Sequence, residues 1–189
     1  PYTTLFRSSK DQGIPNDVIE TLLTIKNKIC VLFANDPLVP SHRDVHLKNV
    51  LCKDEIFYAI DYETANQDTC FVDLAVSTQG FGLTNDEENK FLSIYFGRTR
   101  TDFDQAKLYL MKQIILIYWI VELIKLLPNK RISIDLPFND WEKLLPANPQ
   151  DINLRDPKHI IGMIAQCLKT IIENYNSETF KQAYEKVYV

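Results

Sequence analysis

Glycine is scarce in this sequence, supplying only 5 of 189 residues. Cysteine is also rare, and none of the four cysteines belongs to a C-x-x-C pair, so neither a zinc site nor a disulfide framework is indicated. Reduced thiols are expected, which favours a cytoplasmic location. Positive charge is not in excess, because the net charge is −4, and nucleic acid is therefore not an expected partner.

No hydrophobic run is long enough to cross a bilayer. The most apolar stretch, IILIYWIVELI (114–124), contains Glu122 and lies between Lys112 and Lys125. It is typical of a buried helix, so no membrane span is predicted. With 46% hydrophobic and 24% charged residues, the chain has the composition of one ordinary globular domain.

The N-terminal segment PYTTLFRS (1–8) shows neither a helical nor a strand period and has no signal-peptide core. It resembles the translation of a common sequencing adapter. We therefore expect residues 1–8 to be a non-native segment and residues 9–189 to be natural protein whose upstream part is cut off. The alternative is an ordinary native terminus.

Apolar spacing predicts a mostly helical chain. Val18, Leu22, Ile25 and Ile29 lie three or four residues apart and indicate one buried face of a helix over 16–34. Two short apolar runs, NVLC and IFYAID, are separated by KDE and predict a small β-hairpin. Five more helices are predicted, with prolines between them, over roughly 70–80, 85–96, 103–127, 156–175 and 177–187.

The segment SHRDVHLKNVL (41–51) places polar side chains directly before this hairpin. Asp44 and Asn49 lie in the entering loop, and Asp61 follows the second apolar run. Because a hairpin brings its ends together, we expect Asn49 and Asp61 to face each other. Their oxygens suit Mg²⁺ and nucleotide phosphates, while Asp44 is free to accept a proton from a hydroxyl. As an isolated pair, Asp44 and Asn49 would rather indicate an Asx-type turn.

These motifs together resemble those of a known family. HRDVHLKNVL followed by AIDYETANQDTCFVDLA is similar to the catalytic and metal-binding loops of the choline/ethanolamine kinase and aminoglycoside phosphotransferase family. The resemblance implies an α+β, mostly α fold, the C-terminal lobe of a protein-kinase-like fold with a small β-hairpin at the catalytic loop. It also implies transfer of the γ-phosphate of ATP to the hydroxyl of a small molecule, with Mg²⁺.

The resemblance assigns roles to individual residues. Asp44 is the catalytic base, and His42 belongs to the same catalytic loop, where it helps to aim Asp44. Asn49 and Asp61 are the implied Mg²⁺ ligands. Asp73, in FVDLA, braces the loop from behind, and capping of the following helix is an alternative for this residue.

His46 occupies a position where the aminoglycoside group often has histidine. The resemblance makes it a candidate substrate contact, and a solvated loop histidine is the alternative.

The motifs IDYE and LTNDEENKFLSIYFG (83–97) resemble the choline kinase side of the family. This likeness implies an aromatic and acidic pocket for the ammonium group of an acceptor such as choline or ethanolamine. Packing in the core is the alternative for the aromatic residues. The candidate pocket residues are Tyr62, Glu63, Tyr118, Trp119 and Glu122.

Two positions depart from the choline kinase pattern. Thr64 stands where an aromatic residue usually follows I-D-x-E, and Gly80 falls near the expected position of a pocket glutamate. An aminoglycoside or thiamine kinase therefore remains an alternative. A protein kinase fits less well, because DYE replaces D-F-G and no A-P-E element follows.

The nucleotide-binding half of such an enzyme has no counterpart in the sequence. A glycine-rich loop and a lysine held by a glutamate normally cover the ATP phosphates, whereas Gly13 is the only glycine before Asp44. We therefore expect residues 9–189 to form the C-terminal lobe of a truncated kinase that is inactive alone and exposes apolar surface where the missing lobe packs. A catalytically silent, kinase-like binding module is the alternative.

Overall fold

The computed structural model describes residues 14–128 and 136–188. The interpretation of residues 1–8 therefore lies outside the described residues. Helices and strands are numbered in chain order as α1 Asn16–Cys30, β1 Leu38–Ser41, β2 Val50–Lys53, β3 Ile56–Ala59, β4 Asn66–Thr69, α2 Cys70–Gly80, α3 Asn85–Phe96, α4 Asp102–Leu126, α5 Pro157–Tyr175 and α6 Glu178–Tyr188.

The five later helices begin and end within one residue of the ranges predicted from the sequence. The first helix is shorter than predicted, because α1 ends at Cys30 and a 3₁₀ turn, Val31–Phe33, follows it. Pro37 lies shortly beyond this turn and disfavours helical backbone in the residue before it. Leu22, Ile25 and Ile29 of the predicted apolar face are buried.

The chain divides into two compact units. The described part of the first comprises residues 14–28, 116–128 and 136–177. Its helix α5 buries a stripe that includes Ile160, Ile164 and Leu168. This helix contacts the 3₁₀ segment Phe138–Leu144, in which Trp141 is buried and donates from Nε1 to the carbonyl oxygen of Leu136 at 3.1 Å.

The described part of the second unit comprises residues 29–115 and 178–188 and contains both strand pairs. Strands β2 and β3 form the predicted antiparallel hairpin, with Val50 opposite Ala59. Its two-residue turn, Asp54–Glu55, has φ values of 51° and 62°, as a type I′ turn requires. None of the described helices is both long and apolar enough to cross a membrane.

The second strand pair, β1 with β4, was not predicted from the sequence. The two strands are antiparallel, with Leu38 opposite Thr69 and Ser41 opposite Asn66. Strand β1 contains Pro40, and β4 reads NQDT, which has no apolar alternation. This pair places the end of β1, where the loop of interest begins, beside the start of β4.

A buried ion pair connects the residues before β1 to helix α4. Lys107 is only 6% exposed, and its Nζ donates to Oδ1 of Asp36. The other oxygen of Asp36 accepts from Oγ1 of Thr69 at 2.8 Å. The ammonium group also lies 5.0 to 5.4 Å from the centroids of three rings, Phe33, Phe71 and Phe103. The charge is therefore neutralised and enclosed by apolar surface.

Replacing Asp36 with alanine leaves the Lys107 ammonium buried without its counter-charge. We expect this variant to lose about 3 kcal/mol in the free energy of unfolding, measured by urea denaturation. In the Lys107→Met background the same change should cost much less, because no buried charge then remains. Equal costs of Asp36→Ala in both backgrounds would contradict this account of the pair.

The start of α4 carries a second group of charged hydrogen bonds. Oδ2 of Asp104 accepts from the backbone N–H and the hydroxyl of Thr101 at 2.7 and 2.8 Å. Arg98 binds both carboxylate oxygens, at 2.6 and 3.0 Å. The hydrogen bond from Arg98 is the largest cause that lowers the pKa of Asp104, to about 2, and it acts against the effect of burial.

This lowered pKa predicts a pH-dependent contribution to stability. The contribution is complete above the ordinary aspartate pKa, near 4, and is lost as the pH falls towards 2. We expect Asp104→Asn to reduce the free energy of unfolding by about 1–2 kcal/mol at pH 7, since Arg98 is half exposed and screened.

Urea unfolding at several pH values between 2 and 7 tests this, and the difference from wild type should vanish near pH 2. Asp102→Asn is the matched control, because Asp102 lies two residues away in an exposed pair with Lys186 and should show a much smaller difference. A constant difference for Asp104→Asn at all pH values would contradict the prediction.

Candidate active site

One carboxylate anchors the polar loop, residues 42–49, to helix α2. Oδ2 of Asp73 accepts from the backbone N–H of His42 at 2.8 Å, and Oδ1 accepts from the N–H of Arg43 at 2.6 Å. Hydrogen bonds to an ionised carboxylate are stronger than neutral ones. Arg43 has a φ of 68°, a left-handed conformation that is unfavourable for a side-chain-bearing residue. The two bonds therefore fix the loop where its backbone is strained.

Asp73 does not cap α2. The N-cap position belongs to Thr69, which makes no side-chain capping bond, and Asp73 lies in the first turn of the helix. Its carboxylate contacts the loop rather than the free N–H groups of α2. A bracing role for Asp73 in catalysis stays a prediction.

Asp44 and Asn49 are in direct contact. Nδ2 of Asn49 donates to Oδ2 of Asp44 at 2.9 Å and to the backbone carbonyl oxygen of Asp44 at 3.0 Å. Asn49 is buried at the end of the 3₁₀ turn Leu47–Asn49, whereas Asp44 is partly exposed. Since the amide nitrogen is fully used, the free oxygen Oδ1 of Asn49 is the atom left for another partner.

The hairpin places Ile60, the residue before Asp61, beside Asn49. The backbone N–H of Ile60 donates to the carbonyl oxygen of Asn49 at 3.0 Å, which extends the β2–β3 pairing by one step. Asp61 follows with a φ of 66° and an exposed side chain. Within the described part of the chain, its carboxylate forms no ion pair or side-chain hydrogen bond. It is available to a ligand.

His42 connects the loop to the segment after the hairpin. Its Nε2 lies 2.9 Å from the carbonyl oxygen of Ile60, so the hydrogen is on Nε2. Its ring packs against Tyr62, with centroids 4.4 Å apart, and its backbone carbonyl accepts from Oγ1 of Thr64 at 2.9 Å. Nδ1 of His42 is buried and has no partner among the described residues. His42 is thus held by three contacts, two of which involve its side chain, and that side chain lies away from solvent.

His46 lies beside Asp44 and is half-buried. Its Nδ1 accepts from the backbone N–H of Lys48 at 3.2 Å, which fixes the orientation of the ring. Nε2 then lies 3.6 Å from Oδ2 of Asp44, slightly beyond hydrogen-bond distance. The residue is therefore a neighbour of Asp44, and both a contact with substrate and the solvated alternative remain predictions.

The predicted acceptor-pocket residues fall into two groups. Tyr62 and Glu63 lie in the 3₁₀ turn that follows Asp61, and both are exposed. Tyr118, Trp119 and Glu122 lie on α4 in the first compact unit, where the two aromatic side chains are half-buried. Glu122 forms an ion pair with Lys125 at 2.6 Å. Substrate binding by any of these residues stays a prediction.

The polar set fits a divalent cation that is bound together with a phosphate ligand. No group of three or more His, Cys, Asp and Glu residues suited to a metal occurs in ranges 14–128 and 136–188. Asn49 and Asp61 nevertheless offer one amide and one carboxylate oxygen at the hairpin end. Mg²⁺ commonly takes one or two protein ligands and completes its shell with phosphate oxygens and water, so two ligands are sufficient.

Two contacts with the polar loop were not predicted from the sequence. Thr64 was noted only as a departure from a family pattern, yet its hydroxyl holds the backbone of His42. Gly80 was noted in the same way, yet it lies against the loop at Val45 and His46. A threonine or glycine has no periodic pattern that predicts such a contact, since both depend on the path of the chain in three dimensions.

Comparisons with known proteins give one informative result. No protein-family model and no curated protein sequence matches this chain. Among solved structures, the chain is similar to a choline/ethanolamine kinase family protein from Mesorhizobium loti, with a TM-score of 0.64 and 15% sequence identity. The match covers 97% of this chain and 57% of that one. The chain thus spans little more than half the length of its neighbour.

The structural match confirms the predicted fold class. The chain is mostly helical with small antiparallel strand pairs, and it has the fold of a kinase-like C-terminal lobe. At 15% identity the likeness concerns the fold alone.

Asp73→Asn is expected to release part of the loop, because an amide has one acceptor oxygen where the carboxylate has two. One of the N–H groups of His42 and Arg43 then lacks a partner. Hydrogen exchange at that amide should accelerate about 10- to 100-fold, as follows from losing a hydrogen bond to a charged group. Asp68→Asn is the matched control, since Asp68 pairs with the Arg43 side chain at 3.4 Å and with neither loop amide. Unchanged exchange in Asp73→Asn would contradict the anchoring role.

Proposed function

We propose that this chain carries the catalytic and metal-binding residues of an ATP-dependent phosphotransferase of the choline/ethanolamine kinase type. The reaction transfers the γ-phosphate of ATP to the hydroxyl of a small alcohol. The observation that carries the proposal is the joint placement of Asp44, Asn49 and Asp61 around one loop and one hairpin end. The kinase-like fold supports it.

Asp44 is the proposed catalytic base. Its Oδ2 accepts from Asn49, which leaves Oδ1 to accept the proton of the acceptor hydroxyl. The hydroxyl oxygen then bonds to the γ-phosphorus while the bond between that phosphorus and the bridging oxygen breaks. ADP leaves with the electron pair of the broken bond. The contribution of Asp44 is to orient the hydroxyl and remove its proton as the new bond forms.

Asn49 and Asp61 are the proposed ligands for Mg²⁺ bound with ATP. Oδ1 of Asn49 is directed by the two bonds that its amide nitrogen makes to Asp44. Bound Mg²⁺ supplies charge neutralisation for the phosphate oxygens. His42 and Asp73 hold the loop backbone, so that the base and the metal ligands keep one relative geometry.

A cationic acceptor such as choline or ethanolamine is proposed on the basis of the turn after Asp61. Tyr62 is 59% exposed and Glu63 is exposed beside it, which provides an aromatic face and a carboxylate next to the metal ligand. A quaternary ammonium group binds to such groups because it has no hydrogen to donate. Tyr118, Trp119, Glu122 and His46 are each proposed as substrate contacts. Aminoglycosides and thiamine are also cationic and are the competing acceptors.

The nucleotide is proposed to be enclosed by a lobe outside these 189 residues. The β2–β3 hairpin exposes Leu51, Phe57 and Tyr58, and Phe57 is 73% exposed. An apolar surface of this kind normally has a partner. The coverage of 57% of the structural neighbour supports the same view. A cytoplasmic location is proposed because the four widely separated cysteines indicate no disulfide framework and ATP is the proposed co-substrate.

ADP release tests this proposal directly. Two preparations are compared, the 189-residue chain and the longer protein that includes an upstream nucleotide-binding lobe. Each is assayed with Mg²⁺ and ATP against choline, ethanolamine, thiamine and several aminoglycosides. We expect turnover on one acceptor by the longer protein and negligible turnover by the 189-residue chain, because its sequence predicts no glycine-rich loop to clamp the β- and γ-phosphates.

The Asp44→Asn variant distinguishes a loss of catalysis from a loss of folding in this assay. The amide keeps an acceptor for Asn49 but cannot take the hydroxyl proton, so turnover should fall at least about 100-fold. Asp54→Asn is the matched control, with the same loss of charge in the exposed hairpin turn, and should retain activity. A folded longer protein that binds Mg-ATP and phosphorylates none of these acceptors would favour a catalytically silent binding module.

A further inference from the structure

Gly80 is the last residue of α2 and lies against the loop that carries Asp44. A Cβ atom at this position would lie 2.9 Å from Cβ of His46 and 3.3 Å from the carbonyl oxygen of Val45. Carbon atoms in normal contact are about 3.5–4.0 Å apart. A side chain at position 80 is therefore incompatible with the observed position of the loop.

The reason for glycine here is the contact and not the backbone conformation. Gly82 and Gly97 have positive φ values, which favour glycine, whereas Gly80 has an ordinary negative φ. Alanine is the better helix former at such a position. Local preference thus favours a side chain at position 80, and only the approach of the loop opposes it.

Helix α2 touches the loop on both sides of Asp44. Asp73 and Gly80 are seven residues apart, which places them on the same face of the helix, about two turns or 10 Å from each other. Asp73 holds the backbone before Asp44, at His42 and Arg43. Gly80 contacts the backbone after it, at residues 45 and 46. The position of Asp44 is therefore determined by one helix face.

His46 lies between Gly80 and Asp44, so a change at Gly80 reaches Asp44 through this residue. The imidazole is oriented by the N–H of Lys48 and has Nε2 at 3.6 Å from Oδ2 of Asp44. Any group that displaces Cβ of His46 also displaces this ring. We propose that Gly80 is a positioning residue for phosphate transfer, because its lack of a side chain lets the loop close on α2 and sets His46 against Asp44. This role rests on the proposed function.

Gly80→Ala tests the inference, with Gly162→Ala as a matched control. A Cβ at Gly162 would also lie 2.9 Å from a neighbouring atom, Cγ of Leu145, in the other compact unit. Both variants therefore add the same methyl group to a tightly packed helical glycine. We expect Gly80→Ala to shift the NMR amide signals of residues 44–48 in the 189-residue chain. Gly162→Ala should leave those signals in place.

Kinetics in the longer protein provide the second measurement. Gly80→Ala should lower kcat about 10- to 100-fold, since small displacements of catalytic groups have effects of this size. KM for ATP should change less than kcat, because the added methyl group meets residues 45 and 46 and neither of the proposed metal ligands. The Gly162→Ala variant should keep its kcat even where its stability falls.

The double variant Gly80→Ala/His46→Gly shows whether the effect of Gly80→Ala comes from its contact with His46 or from general misfolding. Without Cβ at position 46 the closest contact, at 2.9 Å, is removed, so adding Gly80→Ala should cost less stability in the His46→Gly background than in wild type. Unmoved amide signals at 44–48 in Gly80→Ala would overturn the inference. So would an unchanged kcat in an active protein. If wild type transfers no phosphate, the proposed function fails, and the amide signals still decide whether Gly80 positions the loop.

Discussion

The site depends on the pair of hydrogen bonds between the Asp73 carboxylate and the backbone of His42 and Arg43. A loop rich in charged residues normally gains little from a fixed conformation, because water satisfies its polar groups equally well. Here a carboxylate on a helix holds two successive N–H groups, one of them in a residue with left-handed backbone. These two hydrogen bonds offset the energetic cost of the left-handed backbone conformation at Arg43.

Hydrogen bonds between neighbouring residues connect the other polar groups of the site to this anchor. His42 uses its ring to hold the carbonyl oxygen of Ile60, which fixes the segment that leads to Asp61. The side-chain amide of Asn49 donates to Asp44, and its backbone carbonyl oxygen accepts from the N–H of Ile60. Each chemical group therefore has a neighbour whose own position is determined by backbone hydrogen bonds. Such support is what a site needs to keep its geometry without bound ligand.

Much of this arrangement could be predicted from the sequence, because it depends on local patterns. Apolar residues at helical spacing gave the helices, and two apolar runs around a short polar turn gave the hairpin. The hairpin in turn predicted that Asn49 and Asp61 approach each other. The likeness of several motifs to one family predicted the kinase-like lobe that the structural comparison then confirmed.

The remainder depends on contacts that no local pattern encodes. Strand β4, NQDT, pairs with β1 through backbone groups, so its side chains carry no strand signal. Asp36 and Lys107 are 71 residues apart and meet only after folding. Gly80 is understood only once the loop is seen against it. These are the places where tertiary packing, rather than propensity, decides the structure.

We propose that Asn49 and Asp61 together bind a divalent cation with nucleotide phosphates. Paramagnetic broadening by Mn²⁺ with a non-hydrolysable ATP analogue tests it most directly, since this effect detects weak binding and falls steeply with distance. We expect the amide signals of residues 49 and 61 to broaden first. Earlier broadening at the acidic start of α3, Asp86–Glu88, or no selective broadening at all, would contradict it.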